Sequence, residues 1–113
     1  MPYLILFTKW PSDKSVEVMK KAIESNKKFP PDESLGEDLT PGNAIKSTIE
    51  GAKGISVLKV SKGKLEAAYF RSQSIANLFA MAIAGFEYTI EVWSTVEEAY
   101  SSIGQKPPEY TKY

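Results

Sequence analysis

Histidine and cysteine are both absent from this 113-residue chain. Without cysteine there are no disulfides and no thiolate nucleophile. Without either residue, Cys/His zinc sites and proximal-histidine haem ligation are excluded. The commonest general base near neutral pH is missing as well. An excess charge of one sign is also lacking, because fourteen Lys+Arg balance fourteen Asp+Glu. Sequence-independent binding to nucleic acid or to an anionic membrane needs a basic excess, so neither partner is expected. No apolar run approaches the roughly 18 residues of a membrane span, and no basic region with a cleavage site opens the chain. The expectation is a cytoplasmic protein.

What is present is ordinary globular composition, 42% hydrophobic and 25% charged, at the length of one domain. That domain is expected over residues 1–104, with residues 105–113 (QKPPEYTKY) an extended, proline-rich arm. Pro2–Trp10 reads as a strand with Tyr3, Ile5, Phe7 and Lys9 on one face and Leu4, Leu6, Thr8 and Trp10 on the other. Apolar residues on both faces indicate a central strand covered on both sides. Asp13 is the expected N-cap of a helix whose apolar positions are Val16, Met19, Ala22, Ile23 and Phe29, ended by Pro30-Pro31. The segment from Phe29 to Asn43 holds four carboxylates, Asp32, Glu33, Glu37 and Asp38. They come as two adjacent pairs, not at the alternate positions of a calcium loop. It reads as a solvated connector, with no metal expected.

Residues 43–50 (NAIKSTIE) alternate with one polar face, and residues 55–60 (ISVLKV) form a more buried strand. The link Gly51-Ala52-Lys53-Gly54, with two glycines, predicts a β-hairpin. A second helix carries Leu65, Ala68, Tyr69, Ala76, Phe79, Ala80 and Ile83 on one face, with a polar interruption at Arg71–Ser74 and a capping glycine at Gly85. In the last strand Phe86, Tyr88, Ile90 and Val92 alternate with Glu87, Thr89, Glu91 and Trp93. Ser94-Thr95-Val96-Glu97 then reads as a capping box opening a short helix that stops at Gly104.

The order β-α-β-β-α-β with a short C-terminal helix predicts an α+β, ferredoxin-like domain. Right-handed crossovers place both long helices on one face of the sheet and leave the other face bare. Several large apolar side chains on a bare face exceed what a soluble monomer normally shows, so a second copy of the chain is expected to cover it.

The opening YLILFTKWPSD, the hairpin GAKGISVLKV, the helix start KLEAA and the close EYTIEVWSTVEEA resemble the dimeric α/β-barrel superfamily. Within it they resemble a small archaeal/bacterial family of unknown function. The resemblance covers the chain except the acidic Pro/Gly loop and the final nine residues. It implies a homodimer paired sheet to sheet, with space between the sheets in which some members hold ligands or do chemistry. Members that bind haem use a histidine, which this chain lacks, so no cofactor is expected, and the family offers no catalytic residues to carry over.

The ligand-facing candidates are then Tyr3 and Lys9 of the first strand and Glu87, Thr89, Glu91 and Trp93 of the last, with Lys46 or Lys59 joining them. A carboxylate enclosed there would have its pKa raised by desolvation and could act as a general base. Pro2 is an alternative catalytic residue, because removal of Met1 would expose a secondary amine of the kind tautomerases use on a related chain. Against it, those enzymes hold substrate carboxylates with arginines, and Arg71 is the only arginine. RNA recognition by the same element order is not expected. Its octapeptide would fall on Lys53–Val60, where the aromatic stacking positions hold Ile55, Val57 and Val60. The expected role is that of a homodimeric domain for small-ligand binding or protein interaction. The alternative is a cofactor-independent tautomerase- or isomerase-type enzyme.

Overall fold

The computed structural model describes residues 1–109; the last four residues of the expected C-terminal arm lie outside it. The described residues form an α+β domain with an open, wholly antiparallel sheet of five strands and three helices, compatible with a ferredoxin-like fold. The strands are β1 (Tyr3–Trp10), β2 (Gly36–Asp38), β3 (Ala44–Thr48), β4 (Gly51–Val60) and β5 (Glu87–Trp93), and the helices are α1 (Ser15–Lys28), α2 (Leu65–Ala82) and α3 (Val96–Ser102). The sheet runs β2-β4-β1-β5, with β3 paired to the same edge of β4 as β2.

Register assigns each strand residue to a face. Leu4 pairs with Leu58 and Val92, Leu6 with Ser56 and Ile90, and Trp10 with Ala52. This even-numbered face carries the helices and holds the core in two clusters. Trp10, Val18, Ala52, Ile83 and Phe86 form one; Leu4, Leu35, Val60 and Ala68 form the other. Trp10 stacks on Phe86 at 6.0 Å, and its indole N–H donates to the Ser15 hydroxyl at 3.0 Å, so its one polar atom is satisfied while the ring is buried.

Several local readings change. A 3-10 turn over Ser12–Lys14, closed by Lys14 N–H to the Pro11 carbonyl, delays α1 to Ser15, so Asp13 is not its N-cap. Helix α1 turns Val18 and Ser25 inward, while Val16, Met19 and Ile23 are exposed. The Phe29–Asn43 segment is more than a connector. Asp32 caps a 3-10 turn that buries Leu35, and the chain then adds β2 to the sheet edge.

The hairpin turn falls on Ile49-Glu50, not on residues 51–54, which open β4. Gly51 has φ +124°, and a Cβ there would lie 2.5 Å from the Trp10 carbonyl oxygen. A Cβ on Gly54 would lie 2.5 Å from the Thr8 hydroxyl. Both glycines serve close approach of β1 to β4, a use that local sequence does not distinguish from a turn.

Helix α2 runs unbroken through Arg71–Ser74, and its Tyr69 is exposed. Gly85 does take a left-handed conformation, φ +83°, in the turn before β5. The capping box sits one residue later than expected: the Thr95 hydroxyl accepts from Glu98 N–H at 3.1 Å, and the Glu98 carboxylate accepts from Thr95 N–H at 2.8 Å.

Candidate functional site

The face of the sheet turned away from α1 and α2 is assembled in cross-strand rows. Lys46 of β3, Lys53 of β4, Lys9 of β1 and Glu87 of β5 stand side by side in the first. Ala44, Ile55, Phe7 and Thr89 form the second. Val57, Ile5 and Glu91 form the third, and Glu37, Lys59, Tyr3 and Trp93 the fourth. The middle rows are therefore mostly apolar and the outer ones carry most of the charge. Ile5, at the centre of this face, is only 5% exposed.

All six sequence candidates lie on this face: Tyr3, Lys9, Glu87, Thr89, Glu91 and Trp93. They do not form one cluster. A groove of about 690 Å³ spans the first two rows and gathers Lys9, Glu87 and Thr89 with Phe7, Ala44, Lys46, Lys53 and Ile55. Tyr3, Glu91 and Trp93 line the opposite end of the face, outside the groove. There the Trp93 indole N–H donates to the Glu91 carboxylate at 2.9 Å, and its ring meets Phe7 at 6.4 Å, tilted by 47°. Lys46 belongs to the groove and Lys59 does not. Lys53 falls in the Gly51–Gly54 stretch whose two glycines predict a turn, so the sequence does not single it out. The signal that could have found it is its place two residues before Ile55, on the same side of an extended strand.

None of Lys9, Lys46, Lys53 and Glu87 forms an ion pair among the described residues; the ion pairs lie elsewhere, at Met1–Glu98, Lys14–Glu17 and Lys21–Glu24. The perturbed carboxylates also lie off this face. Hydrogen bonds from the Ser34 hydroxyl and backbone N–H hold Asp32 below its ordinary pKa. Donation from the Thr95 backbone N–H, and then from the N-terminal amine at 2.9 Å, does the same for Glu98.

Pro2 stands apart from the groove. Its carbonyl accepts from Val60 N–H at 2.9 Å, which puts it at the end of β1 opposite Lys9. Arg71 is committed to the fold, donating from one guanidinium nitrogen to the Phe29 and Pro30 carbonyls at 3.1 and 2.8 Å, just past the end of α1. It complements the negative end of that helix.

No group of acidic side chains among the described residues could hold a metal ion, and no described helix is long and apolar enough to cross a membrane. No family model matches the chain, and no curated protein or solved structure is detectably similar to it.

Proposed function

We propose that this chain is a ferredoxin-like domain of the dimeric α/β-barrel kind, a homodimer through its open sheet face that holds a small molecule between the paired sheets. The observation that carries the reading is the row pattern of that face, with Ile5, Phe7, Ile55 and Val57 at its centre, charged rows at its ends and a groove cut into it. A face of this composition is suited to pairing with its own copy, because a two-fold axis sets each patch against itself or its complement.

The charges at the two edges of the face agree with one such axis. Acidic side chains occupy the β5 edge, at Glu87 and Glu91, while Lys46 and Lys53 occupy the β3/β4 side. Rotation about an axis parallel to the strands, between β1 and β4, brings β5 of one copy over β3 of the other. Across the space between the sheets Glu87 then faces Lys46, Phe7 faces Ile55 and Ile5 faces Val57, while Lys9 faces Lys53. A Pro2-dependent isomerase reaction draws no support from the geometry, since Pro2 and the groove lie at opposite ends of β1.

Sedimentation velocity with native mass spectrometry tests the pairing. The expected species at micromolar concentration is a dimer. Glu87→Lys is expected to weaken it and the double variant Glu87→Lys with Lys46→Glu to restore it, both substitutions lying at exposed positions. A monomer in the wild type would overturn the pairing, and failure of the double variant to restore it would overturn the axis.

A further inference from the structure

We propose that the lysine row of the groove binds the head of an amphipathic dianion, an organic phosphate monoester with an apolar body. The inference rests on the open face being the functional surface, and it names the ligand class for that surface. Lys46 is the direct cross-strand partner of Lys53, and Lys53 of Lys9. Like charges directly opposite one another weaken an antiparallel pair, with side chains about 5 Å apart at their β-carbons. Lys9 and Lys53 are moreover half-buried, where water screens their repulsion less. Three ammonium groups face one carboxylate, Glu87, which leaves two positive charges unmatched.

This is a local excess in a chain whose charges cancel, so general basicity does not account for it. The three lysines are one residue deep and span about 10 Å, two strand spacings, which suits a single compact anion and not a polyanionic backbone. Lysine ammonium groups on flexible stems can converge on one phosphate.

The rest of the groove supplies the second half of the chemistry. Phe7, Ile55 and Ala44 form the neighbouring row, with the Thr89 hydroxyl at its end. An anion seated on the lysines therefore extends its body over an aromatic and aliphatic floor. The volume of about 690 Å³ is that of a small-molecule site. Under the two-fold pairing proposed above, Lys9 and Lys53 of the two copies meet, which concentrates positive charge further and makes an anion there more favourable.

Titration calorimetry on the full chain in phosphate-free buffer tests this, with phenyl phosphate as the probe and inorganic phosphate and benzyl alcohol as its two halves. Phenyl phosphate is expected to bind, more weakly as salt rises. Each half is expected to bind at least about ten-fold more weakly than the whole. Lys53→Gln and Lys46→Gln are each expected to cost about ten-fold in affinity for phenyl phosphate. Lys27→Gln, on the exposed face of α1, is expected to leave it unchanged. Lys53→Gln is expected to melt no lower than wild type without ligand, because it removes repulsion; this separates lost binding from lost fold.

The proposal is overturned by absence of phenyl phosphate binding, by equal affinity in both groove variants, or by inorganic phosphate binding as tightly as the aromatic ester. Sedimentation of the same samples keeps the two readings apart. A dimer that ignores phenyl phosphate removes the ligand class and leaves the pairing, whereas a monomer that binds it through Lys53 removes the pairing and leaves the site.

Discussion

The two faces of the sheet come from the same strands and differ in every respect that alternation can control. On the helix side β1, β4 and β5 present Leu4, Leu58, Ile90, Trp10 and Ala52, with no charged side chain in those strands. On the other side they present Lys9, Lys53, Lys59, Glu87 and Glu91 around a strip of Ile5, Phe7, Ile55 and Val57. The first arrangement maximises burial within one copy. The second sets unmatched charge beside apolar side chains that are buried at Ile5 and half-buried at Phe7, Ile55 and Val57. A period of two lets one stretch of chain serve both ends, stability on one face and recognition on the other.

The contrast is open to attack by substitution. Leu4→Ala, at a residue only 2% exposed, is expected to cost about 2–4 kcal/mol by urea denaturation. Trp93→Ala, at a residue 52% exposed on the open face, is expected to cost under about 1 kcal/mol while weakening dimerisation. Comparable losses from the two would erase the distinction between the faces.

Gly54→Ala sharpens the comparison from within the sheet. Its Cβ would meet the Thr8 hydroxyl at 2.5 Å and the Trp10 ring at 3.5 Å, so a destabilisation of about 1–3 kcal/mol is expected, again by urea titration. An unchanged midpoint would show that β1 and β4 can separate without penalty.

A smaller effect comes from the cap of α3. Thr95→Ala is expected to cost about 1 kcal/mol or less, with dimerisation and ligand binding untouched. The same cap carries a pH dependence. Glu98 is held below its ordinary pKa, so its stabilisation is complete above the unfolded glutamate value and is lost as pH falls through the lowered folded value. The stability difference between wild type and Glu98→Gln is expected to be present at neutral pH and to vanish under strong acid. A difference that persisted there would remove the carboxylate from the account.

Much of the open face was readable because β1 and β5 alternate without interruption. Tyr3 and Lys9, and likewise Glu87, Thr89, Glu91 and Trp93, were placed together by periodicity alone. Lys53 was lost because two glycines near the start of β4 look like a turn, and only the Trp10 carbonyl and the Thr8 hydroxyl on the neighbouring strand show what they are for. Strand β2 was invisible for a different reason. Gly36-Glu37-Asp38 has little intrinsic preference for strand and is extended only because β4 offers it an edge. The face of α1 was misassigned because Val16, Met19 and Ile23 satisfy helical spacing as well as the buried Val18 does. Periodicity identifies a stripe, and packing decides which stripe is used.

One edge of this sheet is divided between two short strands. β2 and β3 together line β4, but Thr40-Pro41-Gly42-Asn43 stands between them, with Asn43 at φ +65° and Thr40 accepting Val57 N–H through its hydroxyl. That rim offers no long template for another strand, whereas the rim of β5 is continuous over seven residues. Linear polymers need two joinable ends. With one rim interrupted, the longest strand addition open to two copies matches β5 to β5, a contact that closes on itself.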